Sequence, residues 1–420
     1  MKGTDSMKYG CIAERLGHSF SKEIHARLSD YEYELRELAA GELDAFMKKR
    51  DFLAINVTIP YKQAVIPYLD EIDPAAEEIG AVNTIVNRGG RLFGYNTDLS
   101  GMVALIKRIG LDLTGKKVLI AGTGGTAKTA TAVSRLLGAN EIYRLSRTPG
   151  GGAIGYDEAY AKHSDAKVII NTTPVGMYPR TEGCPISLER FKGLCGVVDA
   201  VYNPLRTNLV LEAQERGIAA EGGLYMLVAQ AVQASEHFLG VRYPEGTIDR
   251  VYGEIISEKE NIVLCGMPGC GKSTVGGLLS TMLGRELIDS DAEIVKREGR
   301  EISRIFAEDG EGYFRDVEAS VISELSALGG RIIATGGGAV LREDNVRALK
   351  RNGRLVFLDR PLSELLPTPD RPLALTKEAI EARYRERYPI YSAVADLTVK
   401  TDTPEETARK VGQTILKRGK

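Results

Sequence analysis

Gly266-Met-Pro-Gly-Cys-Gly-Lys-Ser-Thr274 constrains this chain more than any other stretch. It follows a short apolar run, Asn261 to Cys265, that reads as a buried strand, and it precedes Val275 to Leu283, which reads as the start of a helix. Strand, glycine loop, Lys-Ser and helix in that order make a P-loop. Glycines let backbone N–H groups close round a phosphate, and the helix N-terminus adds its positive end. On this reading Gly269, Cys270, Gly271 and Thr274 belong to the nucleotide cradle. Lys272 reaches the β- and γ-phosphates of ATP, and Ser273 offers a hydroxyl to Mg2+. P-loop domains begin with this strand, so the chain divides here. The residues before it need a separate explanation.

The rest of the sequence bounds the answer. A chain of 420 residues accommodates two or three domains, and 43% hydrophobic with 27% charged residues is ordinary for a soluble globular protein. A net charge of −2 gives no basis for nucleic-acid binding through a basic surface. No apolar run has the length of a membrane span, and the N-terminus shows no apolar signal core. The five Cys form no CxxC pair, and the four His are scattered without ligand spacing. This favours reduced thiols in a cytoplasmic protein without a structural zinc site.

Before the P-loop, polar groups recur at the ends of apolar strands, where sites tend to form. Ser19 and Ser21 lie in a turn before a helical stretch and serve equally well as helix caps. Phe52 to Lys62 is a strand ending in Pro60, with Thr58 and Lys62 at or beyond its end. Asn83 and Asp98 stand in similar places. The strand Lys116–Ala121 runs into Gly122-Thr-Gly-Gly-Thr-Ala127, which fits the dinucleotide pattern G-x-G-x-x-A ahead of a helix over 128–137. Gly122, Thr123, Gly124, Gly125 and Thr126 form that loop. After the next strand, Glu141–Leu145, the usual acidic partner of an NAD ribose is replaced by Ser146, Arg147 and Thr148. A guanidinium pairs with a 2′-phosphate where a carboxylate repels it, so NADP(H) is expected over NAD. Strands and helical stretches alternate from Leu111 onward, which implies a doubly wound parallel sheet. A long apolar helix starts at Gly222. By periodicity alone, its odd polar member Gln230 sits on the solvent side.

These motifs occur together and in order: Ser19-Phe-Ser21, Asn56 to Lys62, Ala81-Val-Asn-Thr84, Asn96-Thr-Asp98, the glycine loop and Gly223 to Gln230. Over 7–257 the chain resembles shikimate dehydrogenase. The resemblance implies an N-terminal substrate domain, an NADP-binding domain, and C-terminal helices that return to the first. It implies Lys62 and Asp98 as the catalytic pair and Ser19 and Ser21 as holders of the substrate carboxylate. Thr58, Asn83, Tyr202 and Gln230 would hold ring hydroxyls or that carboxylate, with Gly223 near the cofactor. Two departures stand out. Ser146 replaces the family's usual Asn, and Pro149-Gly-Gly-Gly152 replaces a downstream basic residue, which weakens the expected preference for NADP over NAD.

After the P-loop, Asp289 and Asp291 follow a short strand at spacing two, which suits Mg2+ and an attacking hydroxyl. Arg315 opens a helix, Gly336-Gly-Gly338 ends a strand, and Pro367 to Pro372 reads as a loop carrying Arg371. Arg383 to Tyr391 reads as a basic, Tyr-rich helix end whose arginines mostly face solvent. Over 261–420 these features resemble shikimate kinase. The resemblance implies that Asp291 holds the substrate hydroxyls and accepts a proton and that Asp289 contacts Mg2+ through water. Arg315 and Arg387 would clamp the substrate carboxylate beside Gly337, with Arg371 meeting the phosphates from a lid. The family arginine often found just before Arg371 is absent.

The expected fold is therefore α/β. An N-terminal α/β substrate domain (1–100) and a Rossmann-like NADP domain (101–257) precede a P-loop NMP-kinase-like α/β domain (258–420). The expected function is a bifunctional one with two small-molecule substrates, 3-dehydroshikimate and shikimate, and no nucleic-acid or membrane partner. Oligomeric state stays open. Two alternatives also stay open: a quinate/shikimate dehydrogenase joined to a kinase, and a nucleotide-sensing regulatory fusion with inactive sites. The intact Lys62, Asp98, Lys272, Asp289 and Asp291 argue against the last.

Overall fold

The computed structural model describes residues 7–17, 19–365 and 377–417, with side chains through 415. The chain divides into two compact units, Met1–Tyr252 and Gly253–Lys420.

The first unit holds two sheets. One contains β1 (Tyr9–Ala13), β2 (Tyr33–Glu37), β3 (Ala54–Val57), β4 (Glu71–Ile72), β5 (Thr84–Arg88) and β6 (Arg91–Tyr95), in the order β2-β1-β3-β5-β6-β4. β1 runs parallel to β2 and β3, while β5 is antiparallel to both β3 and β6. All four residues of β3 are buried, which explains its continuous apolar reading. The other sheet contains β7 (Lys117–Ala121), β8 (Glu141–Leu145), β9 (Ala153–Ile154), β10 (Val168–Asn171), β11 (Gly196–Asp199) and β12 (Ala219–Glu221). Its order is β12-β11-β10-β7-β8-β9, parallel throughout. This is the doubly wound order, and the strand sequence reverses between β7 and β10. A crevice for a dinucleotide belongs outside the carboxyl ends of those two strands.

The helices Thr97–Arg108 and Leu224–Leu239 pack together, and the second also contacts β3 and β5 of the first sheet. The returning helix thus seals the first sheet through Ala234 and Phe238, which are buried with Cys11, Tyr33, Ala54 and Val86.

The second unit has one parallel sheet built from β13 (Asn261–Cys265), β14 (Leu287–Asp289), β15 (Ile332–Ala334), β16 (Gly353–Asp359) and β17 (Leu397–Lys400). The order is β14-β15-β13-β16-β17. β13 lies at the centre and is buried at every position. It therefore sends the P-loop to the middle of the sheet's carboxyl edge.

Three local readings are corrected. The helix expected over 128–137 begins at Gly125, because the glycine loop itself supplies the first turn. The stretch 383–391 is not a helix end, since Lys377–Val394 is helical throughout with Pro389 inside it. Gln230 does not face solvent but is buried at 8% exposure, because the returning helix packs on both sides.

Candidate functional site

In the first unit, Asn96 caps the helix Thr97–Arg108 by accepting from the Leu99 amide, which places Asp98 in the first turn, 7% exposed. Lys62 follows β3 on a short turned segment and meets Asp98 Oδ2 with its Nζ at 2.5 Å. Both side chains are largely withdrawn from water, at 14% and 10% exposure, so this ion pair is weakly screened and its geometry is held. Cys11 lies near the pair. Burial pushes its thiol up to about 12, against the pull of the Lys62 charge.

Around that pair, Asn83, Thr97 and Gln230 form one buried network. Asn83 Nδ2 donates to Thr97 Oγ1 at 3.0 Å, the Thr97 amide donates to Asn83 Oδ1 at 2.8 Å, and Thr97 Oγ1 donates to Gln230 Oε1 at 3.4 Å. Ser19 Oγ donates to Ser21 Oγ at 3.0 Å. The Tyr202 hydroxyl lies near Ser19, and burial raises it above its ordinary range. The sequence-predicted binding residues therefore fall into two linked groups. Thr58 follows β3 with its amide on the Ile12 carbonyl and joins neither group.

The Gly122–Ala127 loop comes up to Lys62. A Cβ on Gly125 would stand 3.8 Å from Lys62 Cδ. Gly122 adopts a φ of 116°, and a Cβ there would strike Thr172 after β10, so the loops flanking the switch point touch only because the residue is Gly. Gly124 caps the following helix without a side-chain bond, which leaves the first-turn amides of Gly125 and Thr126 open to an anion. Thr123 is exposed beside them. At the end of β8, the Thr148 amide donates to Ser146 Oγ at 3.2 Å, and Arg147 is exposed. Gly223 sits against the Ala200 carbonyl with no room for a side chain.

In the second unit, Gly269 and Gly271 take φ values of 82° and 97°, which turn the loop round its own interior. Cys270 is buried between them. Lys272 points into the loop, donating to the Gly266 and Met267 carbonyls at 2.9 and 3.2 Å. Ser273 Oγ donates to Asp289 Oδ2 at 2.8 Å, and Asp289 Oδ1 accepts from the Asp291 amide at 3.0 Å. Thr274 is exposed in the same first turn. A hydroxyl and a carboxylate this close are two hard oxygen donors, and Mg2+ keeps several waters and needs few protein ligands. Among the described residues there is no cluster of three or more His, Cys, Asp or Glu placed to hold a metal.

A cavity of about 420 Å3 runs from Lys272 and Ser273 past Asp289 and Asp291 to Arg315, Gly337 and Arg387. Arg315 Nη1 donates to Glu318 Oε2 at 2.8 Å, and Nη2 donates to Glu311 Oε1 at 3.0 Å. Arg387 is buried rather than solvated, with Nη1 on the Gly337 carbonyl at 3.3 Å and Nε without a hydrogen-bond partner. Tyr391 donates to the same carbonyl. Arg371 lies outside the described residues. Among the lining residues given no role from the sequence are Glu318 and Arg383. Glu318 is 1% exposed and its carboxyl is raised by burial, although Arg315 opposes the shift. Its spacing of three from Arg315 on a helix was the available signal.

Residues 11–85 match the family model of the shikimate dehydrogenase substrate binding domain, and residues 268–418 match that of shikimate kinase. An NADP(+) shikimate dehydrogenase of Geobacillus kaustophilus is 41% identical over 254 residues, covering 55% of this chain and 92% of that protein. The chain belongs to the shikimate dehydrogenase family. Beyond its dehydrogenase part it carries a shikimate kinase domain, so it is a bifunctional enzyme of the shikimate pathway. Among solved structures, shikimate dehydrogenase 1 of Peptoclostridium difficile aligns with a TM-score of 0.55 and 33% identity, covering 60% of this chain and 97% of its own. A chorismate mutase/shikimate 5-dehydrogenase fusion from Clostridium acetobutylicum aligns at 0.56 and 32%, covering 60% and 98%. A shikimate 5-dehydrogenase from Thermus thermophilus, solved with NADP(H) and shikimate, aligns at 0.53 and 28%, covering 59% and 99%.

Proposed function

We propose that this chain reduces 3-dehydroshikimate to shikimate with NADPH and then phosphorylates the 3-hydroxyl of shikimate with ATP, on the route to chorismate and the aromatic amino acids. The observation that carries this reading is the withdrawn Lys62–Asp98 pair lying against Gly125 of the nucleotide loop. NADPH supplies the hydride. As the carbonyl oxygen gains charge, Lys62 stabilises it and delivers a proton, and Asp98 holds the ammonium in place. The Ser19–Ser21–Tyr202 group suits the substrate carboxylate, and the Asn83–Gln230 network suits its hydroxyls. Arg147 stands where a 2′-phosphate would meet a cation and no carboxylate competes at 146–148, which supports NADP over NAD. A Listeria monocytogenes relative was solved with shikimate and NAD, so coenzyme choice is the finer part of this proposal.

In the kinase domain, Lys272, Ser273 and the loop amides would hold ATP, and Ser273 with Asp289 would hold Mg2+. The metal supplies charge neutralisation at the phosphates. Asp291 would accept the attacking hydroxyl's proton, while Arg315 and Arg387 orient the substrate through its carboxylate. The five cysteines are free thiols, which fits a reducing cytoplasm.

The test is a coupled assay on the purified single chain with 3-dehydroshikimate, NADPH, ATP and Mg2+, its products identified by mass. Shikimate 3-phosphate formed only when both nucleotides are present supports both steps and their order. Shikimate alone would sink the kinase assignment. Quinate oxidised as fast as shikimate would favour the quinate-type alternative.

A further inference from the structure

The kinase cavity holds a cation that the reading above does not use. Arg383 lines it, half-buried, one helical turn before Arg387 on Lys377–Val394. The spacing of four puts both guanidiniums on one face. Among the described residues Arg383 has no hydrogen bond or ion pair. Its neighbours are unlike it in this respect. Arg315 is held by two carboxylates, Glu311 and Glu318, and much of its charge is spent inside the protein.

The charge on the cavity wall decides what Arg383 is worth. Lys272, Arg315, Arg383 and Arg387 face Asp289, Asp291, Glu301 and Glu318. Four cations balance four carboxylates. Without Arg383 the wall is net negative, and an anionic substrate would enter against that field. The buried Arg387 Nε without a partner marks the same end of the cavity as built for an acceptor that the protein does not supply. Burial and the nearby Arg387 charge together depress the Arg383 guanidinium, so an anion between the two would relieve both.

We propose that Arg383 is a third guanidinium of the substrate-carboxylate site, setting affinity for the anionic substrate rather than the rate of phosphoryl transfer. This rests on the kinase reading above. The experiment compares wild type with Arg383→Leu and Arg383→Lys on shikimate and on its analogue with a hydroxymethyl group in place of the carboxylate. In Arg383→Leu the KM for shikimate rises about tenfold, the worth of one charge-assisted hydrogen bond. Its kcat and KM for ATP hold, and Arg383→Lys recovers part of the loss. On the hydroxymethyl analogue, wild type and Arg383→Leu have equal kcat/KM. An unchanged KM for shikimate, an equal loss on the neutral analogue, or a rise confined to ATP would each overturn the proposal. Failure of the wild type to phosphorylate shikimate would overturn the kinase reading instead, and that control is read first. The dehydrogenase rate of each variant shows that the chain itself is intact.

Discussion

At the residue scale, the dehydrogenase reading stands on one ammonium. Lys62→Ala removes the proposed proton donor and leaves Asp98 buried without its cation. Dehydroshikimate reduction is expected to fall by roughly a thousandfold, the size of a lost general acid, while kinase turnover on added shikimate stays within error. A loss under tenfold would remove Lys62 from the chemistry. Two other buried groups of this unit respond to pH in opposite senses. His25 is fully buried, stacked on Tyr33 at 3.9 Å, and burial lowers its pKa to about 3. The unfolded chain binds that proton from about pH 6.5 downward and the native one does not, so stability is lost as pH falls from 6.5 toward 3. Asp199 is raised by burial to about 6, despite accepting from Thr207 Oγ1, the Val201 amide and Asn171 Nδ2. There the native state holds the proton more tightly, and stability is gained as pH falls from 6 toward 3.8. The two partly cancel. Removing one exposes the other: the stability advantage of wild type over His25→Gln, from urea unfolding, should shrink by about 2–3 kcal/mol between pH 7 and pH 4.5. An advantage equal at both pH values would mean that His25 is not held neutral.

At the element scale, two glycines test whether backbone fit or chain entropy governs each helix. Gly223 caps Leu224–Leu239, and a Cβ there would run into the Ala200 backbone. Gly223→Ala is expected to cost about 1–3 kcal/mol by overpacking and to shift the helix that carries Gln230. Dehydrogenase kcat/KM should fall with it, while the kinase keeps its rate. Gly277 lies inside Lys272–Leu283 with open space around its Cα, so Gly277→Ala should stabilise the kinase unit by about 0.5–1 kcal/mol in thermal unfolding. The opposite sign at either position would mean that the helix sits differently against its neighbours. This scale also shows what a sequence can disclose. The strand Asn261–Cys265 and its loop were legible because phosphate binding demands a fixed order of glycines, lysine and hydroxyl. Lys62 and Asp98 were legible as polar groups at the ends of apolar runs, though the resemblance was needed to pair them. The place of Arg383 in the cavity and the burial of Gln230 and Arg387 were not, because each depends on what packs against the far side of its helix. Helical periodicity records only which positions are apolar. It assigns a buried polar residue to solvent whenever its partners come from another element.

At the scale of the whole molecule, the decisive feature is that the two sites share no residue. Every group assigned to the reductase step lies within Met1–Tyr252, and every group assigned to phosphoryl transfer lies within Gly253–Lys420. Each unit has its own sheets and its own buried core. The residues assigned to one step are therefore separate from those assigned to the other, and the chemistry of one should be indifferent to damage in the other. Lys272→Ala removes the ammonium that the P-loop carbonyls hold, and it should abolish kinase turnover while dehydroshikimate reduction continues. Lys62→Ala should do the reverse. Mixed in equal amounts, the two proteins should again convert 3-dehydroshikimate to shikimate 3-phosphate, because shikimate released by one chain can be taken up by another. The time course carries the information. The mixture should show a lag while free shikimate rises toward the kinase KM, followed by a steady rate set by the slower of the two enzymes. A mixture that never made the phosphate, although each chain kept its single activity, would show that shikimate does not pass through solution. A substitution that removed both activities from a folded chain would show that the units depend on each other in a way that neither site's residues explain.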